Sequence, residues 1–486
     1  MTTTTPTTTS IAWARVQAEF QRIWGYPNFR EPQGEIIRAL LEHQDTLVVL
    51  PTGGGKSICF QLPALLQTGL TLVISPLVAL MENQVQELRE KQLSAATLHS
   101  QMPALQRQQV FKALDRGYLR LLYVSPETLL SAPLWQQLCQ PNLKLNGLIL
   151  DEAHCLVQWG ETFRPAYRRL GAVRKALLQS RPAGTTLPIA AFTATADPTA
   201  QRILRQVLQL QSPKLIRLNP HRPNLHLRVQ SVFSTGQRKN LILQYLQHHP
   251  HQPGLIYVRT RRDSETLADW LQTKHFQVAP YHGGLAGSER RHIEANWLEN
   301  RLQFVVCTSA FGMGINKPNT RWVIHYQAPC TLTEYVQEIG RAGRDSQPAE
   351  ALTLASERTG WLDSSDRQRI RFFESQTHNL QQKAQKLVEQ IPHTGDVREI
   401  SQQFQHGAIS LAWLHSINQL EWLDPFHYRL KKPSQPQSAL QQSASQQMHQ
   451  YLHSRTCRWQ ALLIAFGFRA EAAKIGPCGH CDICQR

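Results

Sequence analysis

The chain has 486 residues, 41% of them hydrophobic, and a formal charge of +17 with a pI near 9.7. That length suits about three domains, no apolar run approaches the ~18 residues a membrane span needs, and the threonine-rich start at residues 2–9 lacks the apolar core of a secretory signal. The excess of 52 Lys and Arg over 35 Asp and Glu attracts polyanions, nucleic acid foremost.

Residues 1–10 read as a disordered tail. Gly25 to Gln33 follows, and then a helix with Ile36, Ile37, Leu40 and Leu41 on one stripe. Gln33 carries a planar amide that can read the edge of adenine, and Tyr26 and Arg30 can sandwich the ring. From spacing alone an ordinary turn and helix start would serve as well. Residues 46–57 are the organising stretch. Leu47, Val48, Val49 and Leu50 read as a buried parallel strand, Thr52, Gly53, Gly54 and Gly55 as a loop, and Lys56 and Ser57 as the opening of a helix. Such a loop turns several N–H groups toward one anion, and the helix N-terminus adds its positive end. Lys56 would reach the outer phosphates of ATP, and the Ser57 hydroxyl would hold Mg²⁺. Leu50 stands where the usual first glycine belongs, so a plain glycine turn is the alternative.

Further strands are expected at residues 70–75, 121–125, 148–150 and 189–192, with a helix over residues 78–89. This alternation gives an α/β fold with a doubly wound parallel sheet, whose ligands bind at the carboxyl ends of strands. Directly after Leu148, Ile149 and Leu150 come Asp151, Glu152, Ala153 and His154. Asp151 can hold Mg²⁺, Glu152 can orient or deprotonate water, and His154 can relay nucleotide state to Thr193, Ala194 and Thr195.

Together, residues 25–33, 51–57, 74–84, 123–129, 151–154, 158–170 and 192–197 resemble superfamily 2 helicases, and the RecQ family of DNA helicases in particular. The resemblance implies two RecA-like lobes, ATP in the cleft, and 3′-to-5′ tracking along single-stranded DNA. It also implies that Tyr26, Arg30 and Gln33 contact adenine. Residues 158–169 look like the family's aromatic-rich loop, which couples DNA binding to hydrolysis. Trp159 and Phe163 offer faces for unstacked bases, at ~1–3 kcal/mol per base, and Arg164 offers charge for phosphate. Glu161 and Thr162 replace the usual His-Asp pair of that loop.

A first lobe at residues 11–212 is followed by a second at 213–356, with strands expected at 254–259, 304–307 and 322–325. Residues 337–345 bring Arg341 and Arg344 three apart between glycines, close to helicase motif VI. Arginine presents planar donors suited to phosphoryl charge, so these two are expected to act in hydrolysis on cleft closure. Asn316 stands where the family's motif V usually has aspartate.

In the tail, helices are expected over 361–391, around Val397, Ile400 and Phe404, and over 409–420, followed by a hairpin at 421–432. Residues 357–432 thus read either as a winged-helix-like DNA-binding segment or as an irregular helical insertion. In the first case Trp422 and Phe426 would be DNA contacts and the hairpin a strand-separating pin. A Ser/Gln-rich linker is expected at 433–450. Cys59, Cys139, Cys155, Cys307 and Cys330 are isolated in mostly apolar surroundings, as small core residues in a reducing cytosol are. Cys457, Cys478, Cys481 and Cys484 instead share a module at 451–486 with the closing pattern C-G-x-C-D-x-C. Four thiolates suit tetrahedral Zn²⁺, as in the family's zinc module, and an iron–sulfur cluster is the rival.

The reading is an ATP-dependent 3′–5′ DNA helicase acting on duplex or junction DNA in repair and recombination. Its cofactors would be ATP, Mg²⁺ and Zn²⁺. It would be a monomer in the cytoplasm that engages single-stranded and duplex DNA, with single-strand-binding and recombination proteins as partners. The rivals are an RNA helicase or double-strand translocase, and a non-motor DNA-binding protein with a weakened ATP site.

Overall fold

The computed structural model describes residues 11–160, 164–312, 315–431 and 444–485. Two compact units emerge: residues 1–218 with 380–437, and residues 219–379 with 438–486. The first is built on a seven-stranded parallel sheet. Its strands are β1 (Thr46–Val49), β2 (Leu70–Ile74), β3 (Ala95–Leu98), β4 (Leu121–Val124), β5 (Leu145–Leu150), β6 (Ile189–Thr193) and β7 (Lys214–Arg217), ordered β3-β4-β2-β5-β6-β1-β7. Strands β1 to β6 are buried along their whole length, so they are mostly apolar and show no polar alternation. Because β1, β6 and β5 are neighbours, the loops that follow them meet at one end of the sheet.

The second unit carries a six-stranded parallel sheet. Its strands are β8 (Leu225–Val232), β9 (Gly254–Tyr257), β10 (Val278–Tyr281), β11 (Phe304–Cys307), β12 (Trp322–His325) and β13 (Ala349–Ser356), ordered β10-β11-β9-β12-β13-β8. The four-cysteine module belongs to this unit. Its helix Arg458–Ala465 sinks Trp459, Leu462 and Leu463 into the core beneath β8, and the Trp459 indole donates to the Leu225 carbonyl at 3.2 Å. The expected linker over 433–450 is partly corrected. Residues 433–443 lie outside the described residues, but Ala444–Leu452 is a helix. Met448, Tyr451 and Leu452, spaced three and one apart, anchor it in the same core.

The helix Ser365–Val388 carries the chain from the second unit back to the first. There the helices Val397–Gln403 and Gly407–Ser416 join an antiparallel sheet of β14 (Thr394–Asp396), β15 (Leu420–Trp422) and β16 (His427–Leu430), ordered β14-β16-β15. The arrangement is winged-helix-like, with Leu387, Ile400, Leu411, Leu414 and Tyr428 in its core. It docks on the first lobe. Helix Gly407–Ser416, which would have to enter a groove, is apolar around its circumference and packs against the turn Pro165–Arg169 of the first lobe. Arg169 donates to the Pro425 carbonyl at 3.2 Å. The Phe426 ring meets Trp135 edge-on at 5.1 Å, and the Trp422 ring lies 5.8 Å from His415. Both rings are partly buried, and the hairpin fastens to the first lobe through Phe426 and the Pro425 carbonyl.

A double-mutant cycle between Trp135→Ala and Phe426→Ala tests this attachment. It should show a coupling of about 0.5–1.5 kcal/mol in chemical denaturation. Additive stability effects with selective loss of unwinding would favour the pin.

Candidate functional site

Three loops converge at the carboxyl ends of β1, β5 and β6. After β1, the chain turns through Gly53 and Gly55, at φ of 84° and 71°, into the helix Lys56–Leu66. Glycine is required at residue 55 for this left-handed backbone and for space, since a Cβ would lie 2.3 Å from Gln33 Nε2. The buried Gln33 amide accepts from the Arg30 N–H at 2.9 Å and donates to the Gly54 carbonyl at 3.2 Å. It therefore ties the expected adenine loop to the phosphate loop. Tyr26 is half exposed on that loop, its ring 6.0 Å from Phe20.

Lys56 Nζ lies 3.3 Å from Glu152 Oε1. Glu152 Oε2 lies 3.4 Å from His154 Nδ1, which in turn is 3.1 Å from the Thr193 hydroxyl. The Thr193 hydroxyl bonds the backbone of Thr195 at both N–H and carbonyl. Motifs about 40 and 96 residues apart in sequence are thus wired together. Glu152 sits at φ 47°, a left-handed conformation costing a non-glycine residue about 1–3 kcal/mol. Its N–H is held by Asp151 Oδ1 at 3.0 Å, and the next N–H, of Ala153, bonds the Phe192 carbonyl at 2.8 Å.

The two adjacent acids are driven apart electrostatically. Burial, and then the neighbouring Glu152 charge, push the Asp151 carboxyl up to about 7. Burial also opposes ionisation of Glu152, but Lys56 and His154 together outweigh it and hold that carboxyl well below the usual range. Asp151 Oδ1 accepts from the Glu152 N–H, and the Ser57 hydroxyl has its own protein partner. Ser57 accepts from Gln84 Nε2 at 2.9 Å, and Gln84 is met in turn by Gln61, which is fixed by the Tyr123 hydroxyl. Gln84 and Gln61 were not singled out from sequence, and the one signal for Gln84 was its place at the end of a matched motif.

Of the DNA-facing set, Phe163 and the side chain of Trp159 lie outside the described residues. Arg164 Nε lies 3.8 Å from Glu127. In the second unit, the Arg341 guanidinium packs on Gly312, donating to its carbonyl. Arg344 donates to Asn316 Oδ1 at 3.0 Å and to the Ile315 carbonyl at 3.3 Å. Asparagine at 316 therefore orients Arg344 without neutralising it, as an aspartate would.

Sequence reasoning also missed a buried polar chain in this unit. Arg259, at the end of β9, pairs with Glu334 and Glu338 at 2.8 Å each. Glu338 is 3.0 Å from His325, whose other ring nitrogen meets the Thr353 hydroxyl at 2.9 Å. Tyr335 links Thr353 to Tyr451, and Arg458 joins the Tyr451 carbonyl to Asp482, beside Cys481. The helix Leu332–Ile339, which leads into Arg341 and Arg344, is so connected to the cysteine module.

The Sγ atoms of Cys457, Cys478, Cys481 and Cys484 all lie within 4.8 Å of one another, with Cys478 and Cys484 at 4.0 Å. Tetrahedral Zn–S bonds of 2.3 Å place sulfurs about 3.8 Å apart. The spacing fits one zinc ion and leaves no room for several irons and sulfides. His480 turns its Nδ1 to the Cys478 carbonyl at 2.6 Å, so the four thiolates complete the set.

Two outcomes check this geometry. Glu338→Gln should destabilise the second unit by about 3–5 kcal/mol in chemical denaturation, because buried Arg259 loses a charged partner. The same carboxyl, held at about 2 by Arg259 and His325 against the opposing effect of burial, ties stability to acid. Its contribution is complete above the unfolded value near 4.3 and fades as pH falls toward 2. Purified protein should also be colourless and carry one zinc per chain by elemental analysis, and chelation should lower the melting temperature of the second unit.

Residues 30–203 match the model of the DEAD/DEAH box helicase family, 237–346 that of the helicase conserved C-terminal domain, and 415–485 that of RecQ zinc-binding. The ATP-dependent DNA helicase RecQ of Synechocystis sp. is 54% identical over 471 residues, covering 96% of this chain and 98% of that protein. RecQ of Pasteurella multocida is 35% identical over 95% of this chain, which spans 61% of that relative. Among solved structures, the helicase MrfA bound to DNA aligns with a TM-score of 0.60 at 19% identity, over 87% of this chain and 63% of its own. Dbp5 of S. cerevisiae bound to RNA and ADP BeF3 aligns with a TM-score of 0.56 at 15% identity, over 70% and 87%. Such low identities attest the tandem-lobe fold alone. The motif geometry, the zinc-binding match and the near full-length likeness agree: the chain belongs to the RecQ family of helicases.

Proposed function

We propose that this chain is an ATP-dependent DNA helicase that moves 3′ to 5′ and opens duplex or junction DNA in repair and recombination. The observation that carries the reading is the buried chain from Lys56 through Glu152 and His154 to Thr193, which joins phosphate grip, water activation and relay in one lobe. Tyr26, Arg30 and Gln33 would hold adenine, and the N–H groups of residues 52–57 the phosphates. Mg²⁺, when bound, would neutralise phosphate charge, and Ser57 and Asp151 would hold it. Lys56 would leave Glu152 for the triphosphate. Glu152, with His154 still beside it to favour the ionised form, would then be free to orient and deprotonate the attacking water. Arg341 and Arg344 would complete the site when the lobes close, an arginine contribution of about 10³–10⁵ in rate where it has been measured in related chemistry. Trp159, Phe163 and Arg164 would bind the tracked strand. The +17 charge supports nucleic acid as the partner.

Unwinding of 3′-tailed and 5′-tailed duplexes, with and without ATP, tests the reading. Only the 3′-tailed DNA should open, and only with ATP, while single-stranded DNA should stimulate hydrolysis more than RNA does. Stronger stimulation by RNA would favour the RNA helicase. Lys56→Ala should abolish hydrolysis and unwinding, and unwinding that survived it would exclude a motor.

A further inference from the structure

The second unit carries a groove of about 940 Å³ along the free edge of β8, walled on its other side by the cysteine module. Strand β8 pairs with β13 over its whole length, and its outer edge is only half covered. At one end, Cys481 makes a parallel bridge to Leu227, and the Asp482 N–H bonds the Leu227 carbonyl at 3.0 Å. In a parallel strand the N–H and C=O of alternate residues point to the same side. Leu227 points outward, so Val229 and Ser231 do too, whereas Val232 points inward and its carbonyl bonds Glu357. Among the described residues nothing pairs with the outward backbone groups of Val229 and Ser231. An open edge of this kind is a template for another strand unless it is blocked.

The lining selects the partner. His226 and Arg228 project from β8 on its exposed face, and Arg455 stands exposed across the groove. Leu227 and Val229 project on the opposite face into the apolar core. Arg228 is only loosely offset by Glu350, 3.9 Å away. We propose that this edge is a docking site for an extended acidic peptide, which adds as a strand beside residues 229–232 and presents carboxylates at every second position to Arg228 and Arg455. Four residues at ~3.3 Å each give ~13 Å of edge, room for a short segment. A nucleic-acid backbone fits less well. The edge offers one carbonyl acceptor for every N–H donor, and Glu350 and Asp482 line the same groove.

The test uses a fluorescein-labelled decapeptide of alternating Asp and Val, titrated into the full zinc-loaded chain and read by anisotropy. Saturable binding is expected, with affinity falling about tenfold or more when Asn replaces Asp in the peptide. Arg228→Glu with Arg455→Glu should have a similar effect. Ser231→Pro removes one outward N–H without touching the ladder to β13, and should weaken binding about tenfold while ATP hydrolysis is unchanged. Amide exchange at Val229 and Ser231 should slow when the peptide is present. No saturable binding at about millimolar peptide, or binding insensitive to Ser231→Pro, overturns the proposal. So does a duplex oligonucleotide that loses affinity in the double arginine variant while the peptide does not.

Discussion

The candidate nucleotide site of the first lobe turns on one partly buried ion pair, Lys56 with Glu152. Two carboxylates stand side by side at the end of β5 in a low-dielectric site that does not favour ionising both. The lysine decides which one carries the charge. It keeps Glu152 ionised and leaves Asp151 as the group that most resists ionisation. The pair also closes the distance between the phosphate loop and the acids, so the strained Glu152 backbone is held by partners on each side. A site prepared in this way needs no new charge when nucleotide arrives. In the proposed mechanism Lys56 would exchange one anion for another, and His154 would remain beside Glu152 to favour its ionised form.

The tail resolves into two pieces with different allegiances. Residues 380–430 form a small three-stranded, helical module that belongs to the first unit, held by Phe426 on Trp135 and Arg169 on Pro425. It leans on the turn Pro165–Arg169, which continues the expected DNA-sensing loop. The cysteine module belongs to the second unit, where Trp459 and the Arg458–Asp482 pair fasten it below β8. Through Tyr451, Tyr335, Thr353 and His325 it also reaches the helix Leu332–Ile339. The cysteine module is thus linked to the helix that leads into Arg341 and Arg344, and is more than a staple.

The buried strands and the nucleotide motifs were legible because their physics is local. A strand covered on both faces is mostly apolar, as β1 and β11 are, and a phosphate loop needs its glycines in sequence. Strands β3, β7, β8 and β13 escaped notice for opposite reasons. Ala95 and Ala96 carry little β signal, while β7 and β8 are edge strands whose exposed Lys, His and Arg positions dilute the pattern. The direction of the 421–432 hairpin could not be read either. Trp422 and Phe426 look alike in sequence whether they stack on bases or on protein, and the contact of Phe426 with Trp135, almost 300 residues earlier, is visible only in the fold. Arg259, Glu338 and His325 are scattered in sequence, and only the fold makes them a cluster.

The central claim is that Glu152 is the ionised base released by Lys56. The most direct measurement compares Glu152→Gln with the unaltered chain in ATP binding and in DNA-stimulated turnover. Binding should be retained or tightened, because the lysine loses its competing carboxylate, while turnover should fall about 10²–10⁴-fold. Turnover within a few-fold of the unaltered chain would contradict the account.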